Sequence, residues 1–196
     1  MTTFRTWIGI LLVVGLPPGL LWWFLLHPLV GMWRRLGVKV SLWTIGILMG
    51  GLLVGLFFIR NALLGPDLGM SWTLMAVGLA LTVGAGVMGA RRKRHLTLDI
   101  LSGAPELQPD GRGGRLLTEG PYAVIRHPRY VEVALAVFGY AFLSNHLGAY
   151  IMALLTIPVI HLIVLLEERE LARRFGSAWE EYLARVPRYI PRRRAV

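Results

Sequence analysis

Cysteine is absent from this 196-residue chain, which excludes disulfides, thiolate nucleophiles and cysteine metal sites. Charge is scarce: Asp, Glu, Lys and Arg make up 16% of the residues, against about 25% in a soluble domain. Acid is scarcest, with 11 Asp and Glu against 21 Lys and Arg and a formal net charge of +10. No GxGxxG, P-loop or GxSxG pattern occurs, so the common soluble nucleotide-binding and serine-hydrolase frames are not expected. His27, His95, His146 and His161 are scattered, with no pair at metal-ligand spacing, and no metal is expected.

Apolar residues fill the space that charge leaves. They make up 55% of the chain, and the mean hydropathy is +0.58. A bilayer core about 30 Å thick takes roughly 20 apolar residues per helix. Runs of that kind cover residues 7–26, 41–59 and 70–90. The first contains Pro17, Pro18 and Gly19, which are expected to kink it. It is too long for a signal-peptide core and reads as a retained span. The third is rich in glycine (Gly78, Gly84, Gly86, Gly89), as a closely packed membrane helix should be.

Residues 91–129 are polar and read as a surface loop. Apolar character returns over 130–143, breaks at Ser144-Asn145-His146, and resumes over 147–166, predicting a helical hairpin with Pro158 in its second arm. Beyond it, Leu171, Phe175, Trp179, Tyr182 and Val186 recur at helical spacing, predicting one amphipathic surface helix over 170–186. The expected fold is therefore all-α: a polytopic membrane protein of about five membrane helices, three spans plus a C-terminal hairpin, followed by a cytoplasmic amphipathic helix. Two parts are expected, membrane helices over 1–90 and a functional region over 91–196.

On that topology, every Lys and Arg except Arg5 and Arg60 falls on one side. The asymmetry places the 91–129 loop and the C-terminus in the cytoplasm. Because the basic residues flank apolar segments, membrane lipid is the expected anionic partner and nucleic acid is not. The seven Trp fall mostly near span ends and read as interfacial anchors.

A hairpin brings its ends together. Arg126-His127-Pro128-Arg129-Tyr130 should therefore lie near Glu167-Glu168, and ionisable groups at a lipid boundary are functional candidates. The same residues suit a structural ion pair, and His127-Pro128 a plain helix start.

Two sequence blocks sharpen this. Leu117-Thr118-Glu119-Gly120-Pro121-Tyr122-Ala123-Val124-Ile125-Arg126-His127-Pro128-Arg129-Tyr130 resembles the first motif of the isoprenylcysteine carboxyl methyltransferase and phospholipid methyltransferase superfamily. Glu167-Glu168, Phe175-Gly176, Trp179, Tyr182 and Arg185-Val186-Pro187-Arg188 resemble the second. The resemblance implies S-adenosylmethionine as methyl donor and a lipophilic acceptor, an isoprenylcysteine-like carboxylate or a phospholipid amine. By position it implies that Tyr122, Arg126, His127, Pro128, Tyr130, Glu167 and Glu168 bind the donor. It likewise makes Arg126 and Arg185 catalytic candidates.

The chemistry agrees with those roles. A carboxylate such as Glu168 suits the donor's ammonium, and Arg126 its carboxylate through a two-pronged contact. His127 can bond a polar edge, and Tyr130 or Tyr122 can lie against the adenine or the sulfonium. Where many members of the superfamily carry Gly two residues after the Tyr, this chain has Glu132. It is a candidate base for an amine acceptor, or a group that complements the helix dipole. Two other readings stand beside methyl transfer. One is an NADPH-dependent sterol or enone reductase, whose C-terminal block is similar; the other is a non-catalytic membrane scaffold.

Overall fold

A computed structural model describes residues 2–93 and 115–192. Part of the polar loop, including Arg94, His95 and the Gly111-Arg112-Gly113-Gly114 turn, lies outside the described residues, as do Arg193 and Arg194. The chain folds as an all-α polytopic membrane protein. The helices are α1 (Thr2–Leu26), α2 (Val30–Leu36), α3 (Val38–Phe58), α4 (Arg60–Leu64), α5 (Trp72–Lys93), α6 (Pro128–Ser144), α7 (Leu147–Phe175) and α8 (Ser177–Arg185), with a 3-10 turn at Gly120–Ala123 before α6.

Four of these, α1, α3, α5 and α7, are long and apolar enough to cross a membrane. α6 has 17 residues and pairs with α7 as the expected hairpin. Between them Asn145 adopts a left-handed conformation, φ 50° and ψ 48°, which Asn tolerates because its short polar side chain bonds locally. Its amide oxygen accepts from Tyr150 Oη at 2.7 Å, and its Nδ2 donates to the Gly69 carbonyl at 2.9 Å.

The hairpin reaches as far as α1 does. Near the start of α1, the buried Arg5 donates to the Ser144 carbonyl at 3.2 Å and pairs with Asp67 of the α4–α5 loop. At the other end of α1, His27 Nδ1 lies 3.0 Å from Glu170 Oε2 in the last third of α7. Tip and base of the hairpin are thus tied to opposite ends of one helix, on the order of 33 Å of rise apart.

Small residues set the helix spacing. Ala141, Ala149 and Ala153 are fully buried and let Leu12 of α1 settle against both arms of the hairpin. Along the α5–α6 seam, a Cβ built on Gly78 would stand 2.8 Å from the Gly139 carbonyl oxygen. Such close backbone approach is how membrane helices gain packing when burial from water is not available to drive association. Of the four glycines expected to pack, Gly78 and Gly89 face α6, while Gly84 and Gly86 have open space.

α1 continues as one helix through Pro17 and Pro18. One expectation is revised. The surface helix expected over 170–186 is divided at Gly176, whose φ of +52° and ψ of −125° suit glycine alone. α7 continues past Glu167-Glu168 to Phe175, and α8 folds back on its end. The five periodic side chains still converge: Trp179, Tyr182 and Val186 are buried together against Leu171 and Phe175.

Candidate functional site

The site is built where the chain after α8 returns to the start of α6. Pro187 ends the helical path, and its carbonyl accepts the Arg126 amide at 2.8 Å. One residue on, the Arg188 carbonyl accepts the His127 amide at 3.2 Å. Pro128 then opens α6, where its missing N–H costs nothing. These local constraints aim Arg126, His127 and Arg188 at the same point on α7.

That point is Glu168. Its Oε1 accepts from Arg126 Nη2 at 3.1 Å, Arg126 Nε at 3.3 Å, His127 Nε2 at 2.9 Å and Arg188 Nε at 3.0 Å. Its Oε2 accepts from Arg188 Nη2 at 2.7 Å. Since a carboxylate only accepts here, His127 carries its proton on Nε2. The remaining Arg126 nitrogen, Nη1, donates to the Leu183 carbonyl at 3.2 Å and the Val186 carbonyl at 2.5 Å. It thereby satisfies carbonyls at the end of α8 that have no partner within the helix. Arg126 and Glu168 are nearly buried, with side chains 8% and 10% exposed.

Glu167 is held differently. Its Oε2 is buried without a hydrogen-bond partner and lies 3.8 Å from His127 Nδ1. An unsatisfied buried carboxylate oxygen is costly and suits a ligand carrying N–H donors. Arg188, a third exposed, keeps Nη1 outside its pair with Glu168.

Tyrosines surround this cluster. Tyr182 Oη donates to the Tyr122 carbonyl at 2.7 Å, locking α8 to the 3-10 turn. Tyr130 is buried, its ring centroid 5.9 Å from that of His127, and Tyr189 approaches the same ring at 6.2 Å. Burial pushes the phenols of Tyr122, Tyr182 and Tyr189 up, so all three stay neutral at physiological pH. The Arg188 guanidinium is likewise held above its usual value, first by its bonds to Glu168.

Glu132 has a different partner from Glu167 and Glu168. It pairs with the buried Arg92 of α5, Nε to Oε2 at 2.7 Å and Nη2 to Oε1 at 3.3 Å. A Cβ at Gly89 would intrude on this carboxylate at 2.7 Å. Arg92 Nη1 is left without a hydrogen bond.

Two cavities adjoin. A cleft of about 700 Å³ lies between α5, the 3-10 turn and α6, lined among others by Arg91, Gly120, Pro121, Ile125 and Tyr189. An almost wholly apolar groove of about 490 Å³ runs along the hairpin past Leu135, Phe138, Phe142 and Ile160. Val131 and Tyr189 line both. Each volume falls in the range of about 300–1,000 Å³ typical of small-molecule sites.

The structure thus brings together Tyr122, Arg126, His127, Pro128, Tyr130, Glu167 and Glu168. It does not bring in Arg185, which is exposed and donates Nε to the carbonyl of Glu181 one turn back. Arg188 stands at Glu168 instead. Hydrophobic phase does not mark this, because Arg185 stands three residues after the inward Tyr182. Arg188 belongs to the second motif but is given no role there, and Tyr189, which follows it, lies outside both motifs. Among the described residues, no group of three or more His, Asp or Glu is arranged to hold a metal ion.

Residues 105–178 match the family profile of phospholipid methyltransferases. The chain is 30% identical over 90 residues to the Delta(14)-sterol reductase TM7SF2 of Mus musculus, covering 44% of this chain and 21% of that protein. It is 30% identical over 82 residues to the cobalt-zinc-cadmium resistance protein CzcN of Cupriavidus metallidurans, covering 41% of this chain and 38% of that protein. The chain therefore spans well under half the length of either relative. No solved structure matches it. The matched span, residues 105–178, contains the Arg-His-Pro-x-Tyr block and the acidic pair.

Proposed function

We propose that this chain is a membrane-embedded methyltransferase. It takes S-adenosylmethionine as donor and methylates a lipophilic acceptor that arrives through the bilayer, with residues 91–196 forming the working region on the cytoplasmic face. The observation that carries the reading is the meeting of two unlike cavities at Tyr189 and Val131: a cleft that reaches the charged cluster through Tyr189, whose ring lies against His127, and an apolar groove between the hairpin arms.

The residues present fit such a donor. Glu167, with a buried oxygen lacking a hydrogen-bond donor, receives its ammonium, and Arg188 Nη1 its carboxylate. Glu168 and Arg126 act through others: they hold His127 and Arg188 in place and close the end of α8. Tyr122, Tyr130 and Tyr189 supply neutral aromatic faces. The donor, when bound, supplies an already activated methyl group, so the protein's task is alignment of acceptor and donor. The apolar groove takes the acceptor's hydrocarbon and leaves its nucleophilic end at Tyr189. For an amine acceptor, Glu132 is the available base once Arg92 gives way. Unchanged turnover in Glu132→Gln would remove that role.

A second reading rests on the likeness to a sterol reductase: an NADPH-dependent reductase using the same cleft. Calorimetric titration of the detergent-purified protein separates them. Saturable binding of S-adenosylhomocysteine, lost in Glu167→Gln, supports methyl transfer. Binding of NADPH in its place supports reduction. Binding of neither by folded protein leaves the non-catalytic scaffold.

A further inference from the structure

A third cavity, of about 690 Å³, lies on the opposite face of α7 from Glu168. Leu166, Arg169, Glu170 and Arg173 share that face at spacings of three and four residues, and α1 and α2 form the other wall through His27 and Arg34. The floor is organised. Glu170, nearly buried, has one carboxylate oxygen 3.0 Å from His27 Nδ1 and accepts from Arg34 Nη2 at 3.1 Å with the other.

Among the described residues, four arginines, Arg34, Arg169, Arg173 and Arg174, line the cavity together with one carboxylate, that of Glu170. Arg174 lies over the Phe175 ring. Arg169 and Arg173 are exposed and make no hydrogen bond or ion pair among the described residues. They stand at i and i+4 on one helix, where like charges repel, so an anion between them would relieve the helix as well as fill the pocket. The cavity also sits where the apolar runs of α1 and α7 end, at Leu26 and Leu166, the level at which lipid headgroups meet a spanning protein.

We propose that this pocket binds the phosphate headgroup of an anionic phospholipid. Arg169 and Arg173 bond the phosphate oxygens in charge-assisted contacts, and the His27–Glu170–Arg34 set holds the wall against which the headgroup rests. The lipid is a bound partner rather than the methyl acceptor, because α7 separates this pocket from the cleft and groove. The proposal does not depend on the methyltransferase reading.

The test uses the full chain, purified in a neutral detergent and titrated with short-chain phosphatidylglycerol, phosphatidylcholine and inorganic phosphate under native mass spectrometry. Phosphatidylglycerol is expected to bind saturably and about tenfold more tightly than phosphatidylcholine. Arg169→Gln/Arg173→Gln should weaken it by about tenfold, while Arg35→Gln/Lys39→Gln, which removes the same charge outside the pocket, should not. If the double variant fails to give a monodisperse, cooperatively unfolding sample, Arg173→Gln alone takes its place. Equal binding of phosphatidylcholine, or equal loss in the Arg35/Lys39 control, would overturn the proposal. So would inorganic phosphate binding as tightly as the lipid, which would make this a site for a soluble anion.

Discussion

Arg188 and Glu168 form a two-pronged pair, Nε to Oε1 at 3.0 Å and Nη2 to Oε2 at 2.7 Å, joining the segment after the last helix to the last third of the C-terminal hairpin arm. Arg126 and His127 converge on the same carboxylate from the start of α6. Glu168 is the junction of three chain segments, and its first consequence is mechanical.

Glu168→Gln should therefore destabilise the C-terminal region. It leaves the nearly buried Arg126 without its counter-charge, and breaking such a pair costs about 3–5 kcal/mol. Arg188→Gln should cost less, about 1 kcal/mol, because Arg188 is a third exposed. Thermal unfolding followed by tryptophan fluorescence would measure both, with Trp179 buried beside Arg126 as a local reporter. Equal, small shifts in both variants would show that Glu168 is no junction.

Glu167→Gln should separate binding from folding. Its Oε2 has no hydrogen bond to lose, so the melting temperature should stay within a few degrees of the parent. S-adenosylhomocysteine affinity should fall by about tenfold or more, the scale of one charge-assisted contact. Unchanged affinity would remove Glu167 from the donor site.

The α5–α6 seam predicts a packing defect. Gly78→Leu would drive a side chain into the Gly139 carbonyl and Leu143, and overpacking of this kind costs about 1–3 kcal/mol or forces the helices apart. Gly84→Leu, on the same helix with open space around it, should be close to neutral. A comparison of the two melting temperatures checks this, and equal losses would argue against the seam.

Acid should loosen the far end of the bundle. Burial works against ionisation of Asp67, but the Gly69 N–H and Arg5 outweigh it and hold the carboxyl below its usual value. A depressed carboxylate stabilises the fold above the unfolded-state value, about pH 4, and that contribution disappears as the pH falls through the folded-state value. The melting temperature of the parent should exceed that of Asp67→Asn at pH 7, and the gap should narrow steadily below about pH 4. A gap that is constant with pH would mean that the charge on Asp67 contributes nothing.

Apolar run length and charge placement determined the membrane class, the three N-terminal spans and the hairpin. Those features depend on local composition over about 20 residues, and the sequence states it directly. The meeting of Arg126 and His127 with the acidic pair was also legible, because a hairpin of two comparable arms must return its ends to one place. The tertiary structure decided what periodicity and motif order cannot carry. Gly176 breaks a helix that its neighbours' spacing would continue, since a positive φ leaves no mark on hydrophobic phase. The fold-back that follows turns Arg185 outward and brings Arg188 and Tyr189 to the site. Glu168 rather than Glu167 became the saturated carboxylate because adjacent residues on a helix point about 100° apart, and only packing against α6 and the segment after α8 selects which of them meets the arginines.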